Sequence, residues 1–194
     1  MGLPNIALIG KARSGKDTIA ARLIATRSYA RVAFADPLKE MALRINPAVA
    51  DAGYGHLGYL ADVVSDSGWE AAKDDYPEVR RFLQRLGQSV RDVSEDFWLD
   101  IASRRIATAA GWNLPVVVTD VRYRNEADAL RAAGFRMVRV IRPETDPRMP
   151  TGSANGEHVS ETELDDYPTD ALIMNNLSLD VLYQRVDALT ADAG

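Results

Sequence analysis

Apolar residues change their spacing along the chain in a regular alternation. Residues 5–9 form a short apolar run that predicts a buried strand, and residues 18–26 carry apolar side chains at helical spacing. Residues 31–35 predict a second strand. Asp36 and Pro37 then supply an N-cap and a first-turn residue, which predicts a helix over 38–45. Asn46-Pro47 and the glycines at 53, 55, 58 and 68 make 46–68 loop-rich, with room for one short helix. Helical periodicity returns over 77–92 and 96–110 and is broken by residues 111–115. Residues 116–119 are a near-continuous β-branched run, as expected of a central parallel strand covered on both faces. A helix over 126–133 is stopped by Gly134, and 135–141 predicts a fourth strand. Three prolines and two glycines make 142–158 a loop, before a fifth strand at 170–174 and a closing helix at 179–189. The alternation argues for one α/β domain spanning residues 1–194, a five-stranded parallel sheet with helices on both faces. Ligands bind such sheets at the carboxyl ends of the strands, near Gly10, Asp36, Asp120, Arg142 and Asn175.

The junction between the first strand and helix reads Gly10-Lys-Ala-Arg-Ser-Gly15-Lys16-Asp17-Thr18. Strand, G-x-x-x-x-G-K loop and helix together form a phosphate site. Gly10 and Gly15 let the backbone close around a phosphate. Successive amides of Lys11, Ala12, Arg13, Ser14 and the residues after them make a concave nest that feeds a helix N-terminus, and Lys16 adds a full positive charge. One position departs from the usual motif. Asp17 stands where a Mg²⁺-binding Ser or Thr is expected, and the hydroxyl follows at Thr18. A carboxylate beside polyphosphate is best explained by an intervening cation.

Composition narrows the function. The net charge of −5 argues against a nucleic-acid polymer as partner. There is no cysteine, so disulfides and cysteine-ligated metals are excluded, and two histidines are too few for a histidine-rich site. The first strand begins near Met1 and no apolar run reaches transmembrane length, which predicts a cytoplasmic protein without a membrane partner. Homodimerisation is left open. Arginine far outnumbers lysine, which occurs only as Lys11, Lys16, Lys39 and Lys73.

Three further stretches carry candidate chemistry. Phe34-Ala-Asp-Pro-Leu-Lys39 brings Asp36 and Lys39 to a strand end, although Asp36 also suits a helix cap. Arg85 and Gln88 lie three apart on one helical face, where an arginine grips a monophosphate and a glutamine reads a base edge. Asp120-Val-Arg122-Tyr-Arg124-Asn-Glu126 follows the β-branched run; Asp120 ends a Walker-B-like strand, suited to Mg²⁺ through water. Arg142 and Arg148 flank the proline-rich loop.

Over 6–39 and 84–126, and more weakly over 142–176, these motifs resemble phage deoxynucleoside monophosphate kinases. The S-G-K-D element also resembles animal-type phosphomevalonate kinases, but A-D-P-L-K and D-V-R-Y-R-N-E favour the nucleotide family. The resemblance implies phosphoryl transfer from ATP to a deoxynucleoside monophosphate with Mg²⁺. It assigns the donor to Gly10–Thr18, with Lys16, Asp17, Arg13 and Arg142 as catalytic residues; Asn175, at the fifth strand end, suits either a border to the donor base or a simple turn. It assigns the acceptor to Asp36, Lys39, Arg85, Gln88, Asp120, Arg122, Arg124, Glu126 and Arg148, and the metal to Asp17 and Asp120. It further implies an acceptor-binding region over about 36–92 and a lid over about 142–163. A GTPase-type switch would need an N-K-x-D motif, and none occurs. A nucleotide-binding module without catalysis would not need an arginine-bearing lid.

Overall fold

The computed structural model describes residues 2–53, 55–143 and 163–191. The chain divides into two compact units, Met1–Ala33 with Ala102–Gly194, and Phe34–Ile101.

The first unit is built on a five-stranded sheet of β1 (Ile6–Ile9), β2 (Ala30–Val32), β5 (Val116–Val121), β6 (Arg136–Ile141) and β7 (Ala171–Met174), in the order β2-β5-β1-β6-β7. All four pairings are parallel, as the sequence predicts. The sheet is flanked by α1 (Lys16–Arg27), α6 (Arg124–Ala132) and α7 (Leu179–Ala191). Central strands β1 and β5 are apolar because both their faces are covered: Ile6 to Ile9 and Val116 to Val118 are buried. Their side chains join Ile19 and Leu23 of α1 and Leu182, Val186 and Leu189 of α7 in one core. Each buried aliphatic side chain there contributes about 1.5–3 kcal/mol of transfer free energy.

β1 lies at the middle of the sheet, with β5 on one side and β6 on the other. The chain leaves β1 at a point where the strand order reverses, which opens a crevice at the carboxyl end. The β1–β5 register slips there. Ala7 faces Val118 but Ile9 faces Val121, so β5 carries one extra residue around Thr119 and Asp120. A bulge of this kind re-aims side chains at a strand end.

The second unit contains α2 (Ala35–Ile45), the antiparallel hairpin β3 (Ala48–Ala50) and β4 (Leu57–Tyr59), α3 (Leu60–Asp75), α4 (Pro77–Val93) and most of α5 (Phe97–Gly111). Its own core is formed by Ala42, Val49, Leu60, Val63, Ala72 and Val79. Two expectations change here. The tract 46–68, expected to be loop-rich with one short helix, instead holds a hairpin and opens a helix of 16 residues. Asn46 ends α2 in a left-handed conformation, and its Oδ1 accepts from the Ala61 N–H at the start of α3 (2.8 Å). Gly68, at φ 78°, breaks the helical geometry inside α3. The second helix also starts early. Phe34 is already in helical conformation and no side chain caps α2, so Asp36 lies within the first turn and is not the N-cap. Its charge still complements the helix dipole there.

Candidate phosphate-binding site

The loop from Gly10 to Gly15 leaves β1 and turns into α1 with little room to spare. A Cβ on Gly10 would lie 2.4 Å from the Val140 carbonyl oxygen of β6 and 3.0 Å from Ser14 Oγ. A Cβ on Gly15 would lie 2.5 Å from Asn175 Nδ2, and Gly15 itself sits at φ 104°, a left-handed conformation that favours glycine. Gly10 is therefore required by close approach to backbone, and Gly15 by its left-handed conformation. Arg13 also takes a left-handed conformation, at φ 61°, with its side chain exposed. A non-glycine residue held there marks a locally strained loop.

Lys16 curls back over this loop. Its Nζ donates to the carbonyl oxygens of Gly10 (2.6 Å) and Lys11 (2.7 Å), with Ser14 Oγ at 3.4 Å. The ammonium thus rests where loop atoms converge. Gly15 is the N-cap of α1 and makes no side-chain hydrogen bond there; a helix N-terminus favours an anion. Asp17 is exposed in that turn, and Thr18 is half-buried beside it.

Asn175 reaches the loop from the turn after β7. Its Nδ2 donates to the Ser14 carbonyl oxygen at 2.9 Å. Lys11 pairs with Asp165 at 3.4 Å.

At the end of β5, Asp120 is half-buried and Thr119 is buried. The Thr119 hydroxyl has no hydrogen-bond partner among the described residues. Glu126 is buried at the start of α6, where Oε2 accepts from the N–H groups of Arg122 (2.9 Å) and Tyr123 (3.2 Å). Glu126 therefore fixes the turn that carries Arg122. Arg124 turns toward the segment after the proline-rich loop. Its N–H donates to Glu163 Oε1 (2.8 Å) and its guanidinium pairs with Asp166. Arg142 stands half-buried just past β6, while Arg148 and most of the 142–163 stretch lie outside the described residues.

In the second unit, Asp36 and Lys39 lie on α2, with Lys39 Nζ 5.6 Å from the Trp69 ring centroid. Arg85 is exposed on α4, and Gln88 donates to Asp92 one turn on (2.8 Å).

The acidic partners Glu163, Asp165 and Asp166 escape a reading of sequence alone. Glu163 and Arg124 are 39 residues apart, and no local spacing links them. The signal that was present is only a run of acids following an arginine-bearing loop.

Among the described residues, no group of three or more His, Cys, Asp or Glu side chains converges on a point that could hold a metal. Mg²⁺ keeps several waters and binds through one or two carboxylates plus substrate phosphates, so it does not require such a cluster. Asp17 and Asp120 are the carboxylates that would hold it, and a bound Mg²⁺ neutralises phosphate charge.

A glycine loop with its lysine, at the carboxyl end of the middle strand of a parallel sheet, defines a P-loop α/β protein. Comparison takes the assignment further. A model of the deoxynucleotide monophosphate kinase family matches residues 61–186, and the chain belongs to that family. It is 25% identical over 193 residues to a putative deoxynucleotide monophosphate kinase of Acanthamoeba polyphaga mimivirus, covering 93% of each protein. It is 27% identical over 117 residues to the deoxynucleotide monophosphate kinase of Enterobacteria phage T4, covering 58% of this chain and 45% of that one. It is 36% identical over 112 residues to the uncharacterized protein ORF77 of Ictalurid herpesvirus 1, covering 57% of this chain. These last two matches span about half the length of those relatives. In fold, the chain resembles the crystal structure of TT1252 from Thermus thermophilus, with a TM-score of 0.52 at 18% identity over the whole of both chains.

Proposed function

We propose that the protein transfers the γ-phosphoryl group of ATP to a deoxynucleoside monophosphate, giving ADP and a deoxynucleoside diphosphate. The observation that carries this reading is the glycine-lined loop with Lys16 folded into it, in a chain of the deoxynucleotide monophosphate kinase family. Phosphoryl transfer needs positioning and charge neutralisation more than covalent chemistry. The loop amides and Lys16 hold the donor. Arg13 and Arg142 add positive charge near the transferring group, and Asp17 and Asp120 serve the metal side. The acceptor phosphate is already ionised at neutral pH and needs no strong base. Asp36, Lys39, Arg85, Gln88, Arg122 and Arg124, with Arg148, are the residues assigned to the acceptor. Glu126 supports them through the backbone of Arg122.

A coupled ADP-release assay over deoxynucleoside monophosphates, ribonucleoside monophosphates and phosphomevalonate tests this. Turnover with at least one deoxynucleoside monophosphate is expected. Turnover with phosphomevalonate and no nucleotide would reverse the assignment, and a preference for ribonucleotides would correct its sugar specificity.

A further inference from the structure

We infer that Asn175 is a positioning residue for the phosphate loop: its side-chain amide fixes the Ser14–Gly15 peptide so that the Gly15 N–H is presented to a polyphosphate. This deepens the kinase reading above and rests on it.

Asn175 is itself held firmly. Its own N–H donates to the Ile141 carbonyl at the end of β6 (2.7 Å). Arg185 of α7 donates to the Met174 carbonyl and to Asn176 Oδ1 (3.0 Å), which secures the residues on either side. From this fixed turn, Nδ2 donates to the Ser14 carbonyl oxygen (2.9 Å). The same nitrogen lies 2.5 Å from where a Gly15 Cβ would be, so the amide packs directly on Gly15.

The geometry of the peptide bond supplies the consequence. No peptide in the described chain is cis. In a trans peptide, C=O and N–H point in opposite directions across one rigid plane. Holding the Ser14 oxygen toward Asn175 turns the Gly15 N–H away from it. Among the described residues that N–H has no acceptor. It stands at the start of α1, where no side chain caps the helix. An unpartnered amide in this setting is a phosphate donor. Losing Asn175 would free the peptide to rotate, and the donor would no longer be preorganised.

The competing role for a polar residue at this strand end is a contact to the base of the donor. The two roles differ in which part of a nucleotide feels the substitution. Titration calorimetry with Mg²⁺-ATP and with Mg²⁺-tripolyphosphate, which has no base, separates them. The parent should bind both. Asn175→Ala should weaken both by about tenfold, the scale of one neutral hydrogen bond. Asn175→Asp keeps the shape but cannot donate when ionised, and should weaken both at least as much. The Gly15 amide resonance should move downfield with tripolyphosphate in the parent and stay in place in either variant. Deoxynucleoside monophosphate affinity should change less than twofold. A loss confined to ATP would overturn the inference in favour of base contact. Parental tripolyphosphate binding in Asn175→Asp would overturn it too, and that variant decides the matter if Asn175→Ala fails to fold. A parent that binds neither probe would overturn the kinase reading itself, a result visible before any variant is made.

Discussion

At the scale of single residues, the two faces of glycine predict opposite outcomes. At Gly10, a Cβ would meet the Val140 carbonyl oxygen at 2.4 Å, and backbone cannot yield as a flexible side chain would. Gly10→Ala should lower the melting temperature and weaken tripolyphosphate binding by tenfold or more. At Gly111, the last residue of α5, an added Cβ meets nothing within 4 Å and no left-handed φ is required. Gly111→Ala should be neutral or stabilising by up to about 1 kcal/mol, since glycine is the poorer helix former. Thermal denaturation of the pair checks both signs. Asp17 poses a different question, because its charge sits on an exposed first turn that the helix dipole alone would favour. If it serves the metal, Asp17→Asn should cut kcat strongly and move the Mg²⁺ dependence to higher concentration, with thermal stability nearly unchanged. Full activity with the parental Mg²⁺ response would make Asp17 a helix-dipole partner and leave Asp120 as the metal-side carboxylate.

Between elements, the tie from α1 to α7 carries a pH dependence. Arg22 donates to both oxygens of Asp187, at 3.0 and 2.7 Å, and its guanidinium lies 4.9 Å from the Tyr183 ring centroid. The hydrogen bonds from Arg22 hold the Asp187 carboxyl below its ordinary value. A depressed carboxylate stabilises the fold above its unfolded pKa and loses that contribution as pH falls through the lower, folded value. Asp187→Asn should therefore lower the melting temperature slightly at pH 7. The gap between variant and parent should begin to close below about pH 4 and vanish in stronger acid. The pair is partly exposed, so the gap should also shrink with added salt. Much at this scale could be read from residues in order. The β-branched run at 116–119 announced β5, and the glycine loop announced the β1–α1 turn, because each signal is local. The β3–β4 hairpin escaped because its strands are three residues each and sit among glycines. Its turn is held by Asp51 Oδ1 accepting from Gly55 N–H (2.6 Å), a bond no periodicity reveals. The site was legible in its donor loop for the same reason. The Asn175 contact was not, since it joins residues 161 apart.

At the scale of the whole molecule, the abundance of arginine invites a reading that the structure redirects. A basic surface would suit a nucleic-acid polymer, yet the net charge is −5 and several guanidiniums are hydrogen-bonded to backbone carbonyls of the fold. Arg139 donates to the carbonyls of Leu164 (2.8 Å) and Tyr167 (2.7 Å). Arg131 reaches the Pro168 carbonyl and Asp170, Arg136 reaches the Leu189 carbonyl, and Arg185 reaches Met174. These arginines tie the connections around β6, β7 and α7 to the sheet. No helix among the described residues is long and apolar enough to cross a membrane. Polymer binding requires several phosphates to be neutralised at once along a cationic track, and its affinity falls steeply with salt. An acidic balance, with these arginines bonded to backbone carbonyls, disfavours such a track. Fluorescence anisotropy with labelled single-stranded and duplex DNA should therefore show no binding at physiological salt, at protein concentrations that saturate with Mg²⁺-ATP. Lowering the salt should raise any residual polymer binding only weakly, because few counterions would be released. Salt-sensitive binding of DNA as tight as that of ATP would contradict this, and would count against the proposed action on free nucleotides.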